Sequence, residues 1–179
     1  MASPSSSNDI QRFERIVLPH LDDAYTLARY LLRDQHDAQD AVQDAVLRAL
    51  RYFETYREGD ARAWLLAIVR NCCLTRHRKA QTERANIAFV EDVDVVHEGA
   101  GRATDARAVE QSERAALQRA LDGLPAEFRE VIVLREVQGL SYREISDVVG
   151  VPIGTVMSRL ARARRRLAAT LGYSAQEAG

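Results

Sequence analysis

Between Ala38 and Phe53 eight apolar residues, Ala38, Ala41, Val42, Ala45, Val46, Ala49, Leu50 and Phe53, recur at steps of 3, 1, 3, 1, 3, 1 and 3. That spacing places all of them on one face of an α-helix and cannot line one face of a strand. Half of the stripe is alanine, so the helix can approach its neighbours closely. Neighbours of the same kind flank it. Phe13, Ile16, Val17, Leu21, Ala24, Ala28, Leu31 and Leu32 keep roughly helical spacing, and Pro19 is expected to kink or split that stretch. After a break at Glu58-Gly59-Asp60, the residues Ala61, Trp64, Leu65, Ile68 and Cys72 begin a third stripe. Three helices with short connections can share one core, which defines a first block over residues 10–80. The polar opening, residues 1–9, reads as disordered.

The wider composition agrees with helices. Aromatic residues make up only 6% of the chain, and the apolar residues are mainly Ala, Leu and Val. No internal repeat and no two-residue alternation is present. No apolar run is long enough to span a membrane, and the N-terminus lacks the basic start and apolar stretch of a secretion signal. Membrane insertion and export are therefore excluded, and a cytoplasmic protein is expected. Cys72 and Cys73 are adjacent inside a helical pattern, which suits neither an ordinary disulfide nor a CxxC metal site. A zinc site would need His77 and a fourth ligand as well. Small packing residues in a reducing compartment fit better, so no metal or cofactor is expected.

The net charge of −1 hides an uneven distribution. Residues 1–80 carry 12 basic against 11 acidic side chains, residues 81–113 carry 3 against 8, and residues 114–171 carry 10 against 6. Five arginines and no acid fall between Gly150 and Leu171. An acidic connector, residues 81–111, thus precedes a basic second block, residues 112–171, and a short tail, residues 172–179. The connector contains Gly99-Ala-Gly101 and shows no sustained apolar period, which predicts a flexible or extended segment. Its run Ile87-Ala-Phe89-Val90 is the exception and could dock on another surface.

The second block opens with Leu117, Leu121 and Leu124, and Pro125 suits the first turn of the next helix. Phe128, Val131, Ile132 and Leu134 continue that helix up to Gly139. Ser141-Tyr-Arg-Glu144 fits a capping box for a short helix with Ile145, Val148 and Val149 on its apolar face. Gly150 permits a sharp turn, and Val151-Pro152 opens a last helix. There Ile153, Val156, Leu160, Ala163 and Leu167 should pack inward, leaving Thr155, Ser158, Arg159, Arg162 and Arg166 on the other face. A short capped helix, a glycine turn and an arginine-bearing second helix form a helix-turn-helix. Its hydroxyls permit close approach to DNA, and its arginines reach phosphates and base edges.

Three segments, Leu124-Pro-Ala-Glu-Phe-Arg-Glu-Val, Gly139-Leu-Ser-Tyr-Arg-Glu-Ile and Gly154-Thr-Val-Met-Ser-Arg-Leu-Ala-Arg-Ala-Arg, resemble region 4 of bacterial sigma factors of the extracytoplasmic-function class. In the first block, Asp37-Ala-Gln-Asp-Ala-Val-Gln-Asp-Ala-Val-Leu-Arg-Ala and Ala63-Trp-Leu-Leu-Ala-Ile-Val-Arg-Asn resemble their region 2. The two occur in the family's order and cover most of the chain. The resemblance implies an all-α protein of two small helical domains joined by a flexible linker. It implies a non-enzymatic subunit that binds core RNA polymerase, directs it to promoter DNA and is held in check by an anti-sigma factor.

It also implies residue roles. Asp37, Asp40, Gln43 and Asp44 would meet the clamp of the largest polymerase subunit, and an acidic stripe suits a basic partner. Tyr56, beside the Glu58-Gly59-Asp60 loop, would help hold an unstacked base of the −10 element, while Phe53 and Trp64 fit the core. Arg70, Asn71, Arg76, Arg78 and Lys79 would donate to DNA at the same element. Thr155, Ser158, Arg159, Arg162 and Arg166 would read the −35 element. The chain departs from the family's pattern at Thr75, where members often carry Asp, and at Met157, where many carry Lys or Arg. The connector passes a reach test: about 30 extended residues span on the order of 100 Å, and two turns of duplex measure roughly 70 Å.

Two other classes share some of these features. One is a helix-turn-helix regulator whose first block senses a signal or dimerises. The other is a DNA-processing enzyme, but no convincing nucleophile set or clustered carboxylate triad is present.

Overall fold

A computed structural model describes residues 7–57, 59–87 and 105–172, with side chains left undescribed for Ser7 and residues 83–87 and 105–110. Eight α-helices are described: α1 (Ser7–Val17), α2 (Leu21–Leu32), α3 (Gln35–Arg51), α4 (Ala61–Ile87), α5 (Asp105–Asp122), α6 (Ala126–Ile132), α7 (Tyr142–Val149) and α8 (Ile153–Leu171). No strand occurs among the described residues.

Pro19 splits the first stretch. A 3₁₀ turn, Leu18–His20, separates α1 from α2, because proline supplies no N–H to the ladder. Arg33 ends α2 in the left-handed region, and Asp34 caps α3 by accepting from the Asp37 N–H at 2.9 Å. The alanine stripe of α3 lies inward, with Ala38, Ala41, Ala45 and Ala49 fully buried against α2 and α4. Small residues let helix axes come close, so the bulk of the core can be supplied from the facing helices. Leu27, Leu65 and Leu66 supply it, and each buried leucine contributes about 1.5–3 kcal/mol. Asp60 caps α4 by accepting from the Ala63 N–H at 3.0 Å.

The expected connector is shorter than its charge pattern suggested. Helix α4 runs on to Ile87, and α5 already starts at Asp105. Neither stretch contains glycine or proline, and both are rich in helix-forming residues. Apolar periodicity stops where burial stops, about one turn past Cys73, but the helix does not. At the other end, Asn8 and Asp9, read as part of a disordered opening, lie within α1. Residues 1–6, 88–104 and 173–179 lie outside the described residues, so the expectations for a disordered opening, the Ala88-Phe89-Val90 run and the tail fall largely there.

In the second block α6 continues through a π-helical turn, Val133–Val137, before Gly139 turns the chain at φ +70°. Two expected core positions face out: Leu117 of α5 and Ile153 of α8 are exposed, whereas Leu121, Leu124, Val156, Leu160 and Ala163 are buried. Ile153 starts its helix, where no preceding turn covers it. The two blocks also pack on each other. Helix α6 lies against α2 and α7 against α4, and buried apolar residues of both blocks form one continuous core.

Candidate nucleic-acid and polymerase interfaces

The helix-turn-helix is built from local chemistry. Ser141 accepts from the Glu144 N–H at 3.2 Å, and Glu144 accepts from the Ser141 N–H at 2.6 Å, completing the capping box. The Glu144 carboxyl is held below the usual range, first by the nearby Ser141 hydroxyl and then by the Ser141 backbone N–H. Gly150 ends α7 at φ +73°, a conformation that penalises any residue with a Cβ. The Ser146 hydroxyl donates to the Val151 carbonyl at 2.6 Å and fixes the turn into α8. Arg135 donates to the Leu140 carbonyl at 2.8 Å and lies over the Tyr142 ring at 4.9 Å, tying the end of α6 to α7.

Helix α8 presents the expected residues unevenly. Ser158, Arg162 and Arg166 are exposed, and Thr155 is half-buried. The Arg166 guanidinium lies 5.1 Å from the centre of the Phe128 ring. Arg159 is drawn inward to Glu130, at 3.4 Å. Met157 is exposed beside this face.

On α3 the acidic stripe is open to solvent: the Asp37, Asp40 and Asp44 side chains are 56%, 60% and 50% exposed, and Gln43 is exposed as well. Arg76 of α4 reaches across to all three acids, at 3.7, 3.5 and 3.1 Å. This residue, grouped by sequence with the −10 contacts, therefore sits within the candidate polymerase surface. Its Nε is buried without a hydrogen-bond partner.

The other −10 candidates fall into three settings. Tyr56 is half-buried in an aromatic cluster, stacked on Phe53 at 5.9 Å and tilted against Trp64 at 4.9 Å, and its hydroxyl donates to the Gly59 carbonyl at 2.7 Å. Phe53 is buried, as its place on the apolar stripe implied. Asn71, Arg78 and Lys79 are exposed on α4. Arg70 instead forms a two-pronged pair with Glu130, at 2.6 and 3.1 Å. Thr75, at the divergent position, donates its hydroxyl to the Asn71 carbonyl at 2.9 Å.

Cys72 and Cys73 are buried free thiols on α4. Burial pushes both up, Cys73 to about 12, which disfavours the thiolate form in each. Among the described residues no group of three or more His, Cys, Asp or Glu could hold a metal ion, and no helix is long and apolar enough to cross a membrane.

Glu130, Gln138, Arg62, Asp23 and Arg129 were not singled out by sequence, yet they carry the densest polar contacts. Arg129 is buried and donates to the carbonyls of Leu121, Asp122 and Leu124 at 2.9, 3.0 and 2.8 Å. Desolvation lowers its pKa, while the carbonyls satisfy its donors. The one available sequence signal was charge placed inside apolar runs: Arg129-Glu130 interrupts Phe128 and Val131-Ile132.

Comparison with known proteins matches this geometry. The family model for Sigma-70 region 2 matches residues 16–83, and that for Sigma-70, region 4 matches residues 114–167. The ECF RNA polymerase sigma factor SigE of Mycolicibacterium smegmatis is 38% identical over 157 residues, covering 87% of this chain and 60% of the relative. SigM of Mycobacterium tuberculosis is 39% identical over 168 residues, covering 93% of this chain and 81% of the relative. The chain thus spans three-fifths of the first relative's length and four-fifths of the second's. Among solved structures, the sigma factor RpoE of Bartonella quintana, in complex with the anti-sigma factor NepR, superposes with a TM-score of 0.74 at 29% identity, covering 90% of this chain and 98% of that one. CnrH, in complex with the cytosolic domain of CnrY, superposes with a TM-score of 0.64 at 26% identity, covering 90% and 89%. With both regions matched in order and curated relatives at this identity, the chain belongs to the ECF RNA polymerase sigma factors.

Proposed function

We propose that this sigma factor docks on the polymerase clamp through the α3 face of Asp37, Asp40, Gln43 and Asp44, and reads the −35 element with the Thr155, Ser158, Arg159, Arg162 and Arg166 face of α8. Tyr56 with its loop, and Arg70, Asn71, Arg78 and Lys79 along α4, engage the −10 strand, with Arg76 bordering both surfaces. The protein acts in the cytoplasm with the polymerase, carries no catalysis of its own and is held inactive by an anti-sigma factor. The observation that carries the division of labour is the separation of charge. Exposed acids cluster on α3, whereas α8 exposes arginines and contains no acid. A basic helix suits phosphates and base edges, and an acidic stripe suits a basic protein surface.

Transcription in vitro with core polymerase on a promoter library tests this. Arg162→Ala is expected to lower −35-dependent initiation by about tenfold, since a lost base or phosphate contact costs roughly 1–3 kcal/mol, while polymerase binding is retained. Charge reversal at Asp40 and Asp44 should abolish polymerase binding. Equal loss of both functions in Arg162→Ala would defeat the assignment.

A further inference from the structure

The outer face of α8 is less basic than its sequence. Three of its five arginines are engaged within the protein. Arg159 lies 3.4 Å from Glu130, Arg164 donates to Glu136 at 2.7 and 3.2 Å, and Arg166 lies over the Phe128 ring. All five also fall in the later turns. In a helix-turn-helix the N-terminal residues of the second helix contact base edges. The first six residues of α8, Ile153 to Ser158, include no charged side chain.

What this part of the helix offers is apolar. Ile153 and Met157 are 44% and 52% exposed, and Ala161 is exposed as well. They follow one another at intervals of four, so they form one continuous row on the helix surface. Exposed Gly154, Ser158 and Arg162 form the next row alongside. Gly154 bears on what approaches this face. Its φ is not in the left-handed region, and a Cβ added there would meet nothing within 4 Å. Neither the backbone nor the internal packing asks for glycine, which weakens a helix relative to alanine. Close approach of an outside surface is a use that remains for the missing side chain.

A lysine or arginine at position 157 would bond guanine through O6 and N7. Methionine has no hydrogen donor. Its flexible apolar chain suits the apolar group that the major groove presents, the C5 methyl of thymine. We propose that Met157, flanked by Ile153 and Ala161, reads a thymine methyl in the −35 element, so that this base pair is chosen by apolar contact while Ser158 and Arg162 supply the hydrogen bonds. The proposal rests on the reading above that α8 reads the −35 element, and it names the base chemistry that α8 selects.

The test uses holoenzyme formed with core polymerase and a promoter library randomised in the upstream element. In the selected element each thymine of either strand is replaced in turn by deoxyuridine. That change removes the C5 methyl and leaves every hydrogen-bonding group of the base in place. At one thymine or more, replacement is expected to weaken promoter binding about fourfold, the effect of one buried methyl group. In Met157→Ser holoenzyme the same replacement should have no effect. Met157→Lys should select a G·C pair at that position from the library. Met157 is exposed, so both variants keep the core intact. A defined element that tolerates every deoxyuridine would overturn the proposal. So would a methyl effect that survives in Met157→Ser, or a Met157→Lys selection identical to the parent's. Absence of any upstream preference in the parent would instead defeat the −35 reading itself, and the proposal with it.

Discussion

At the residue scale the decisive side chains are charged groups taken out of water. Arg129 illustrates the energetics. Its guanidinium closes the turn between α5 and α6 by donating to three carbonyls, two of which are otherwise buried with apolar neighbours. Replacing it with Met keeps the apolar stem but removes three charge-assisted bonds and strips the Leu124 carbonyl of its donor, while the Leu121 carbonyl keeps the Leu124 N–H and the Asp122 carbonyl keeps Arg33. Arg129→Met is expected to lose about 2–4 kcal/mol in urea denaturation, and Arg129→Lys to recover only part of it, since an ammonium cannot span the same three acceptors. Equal stability of the Met variant would show that water replaces the guanidinium. Hydrophobic spacing could not reveal this role, because an arginine next to Phe128 reads as surface until the chain reversal that encloses it is known.

At the scale of elements, local chemistry was legible in detail. The alanine stripe, the proline split after α1, the capping box at Ser141 and the glycine turn at Gly150 depend only on neighbours in sequence, and all form as their residues imply. Ser141→Ala should cost about 1 kcal/mol through the lost cap. Gly150→Ala should cost roughly 1–2 kcal/mol through the left-handed backbone alone, since an added Cβ meets nothing within 4 Å. Chemical denaturation measures both, and a stabilising alanine at position 150 would contradict the turn geometry. Element ends were less legible. The outer turns of α4 and the early turns of α5 carry no apolar stripe, so periodicity is silent there, although propensity favours helix. Ile153 and Leu117 show the converse: apolar residues at helical spacing stay exposed where no partner element reaches them.

At the scale of the whole molecule, the continuous core and the Glu130, Gln138 and Arg62 ties join the two sigma regions. The chain's one tryptophan, Trp64, lies in the first block, whereas far-ultraviolet circular dichroism reports helices in both. Urea transitions followed by the two signals should coincide in the parent chain and separate in Glu130→Gln. Separate midpoints already in the parent would show that the packing adds nothing to stability. This arrangement also reassigns individual residues. Arg70 and Arg159 are drawn to Glu130, and Arg76 to the acids of α3, so side chains that sequence placed among free DNA contacts are paired within the protein.

The helices, their caps, the two-block order and the family were readable from the chain alone, because each depends on spacing, turn chemistry or motifs within a few tens of residues. The tertiary structure alone decided that the blocks pack together and which arginines are occupied. Those outcomes depend on Glu130 meeting Arg70 from 60 positions away and on Gln138 meeting Asp23 from 115. No local pattern encodes such a meeting: a charged residue next to an apolar run has the same sequence signature whether it faces water or a buried partner.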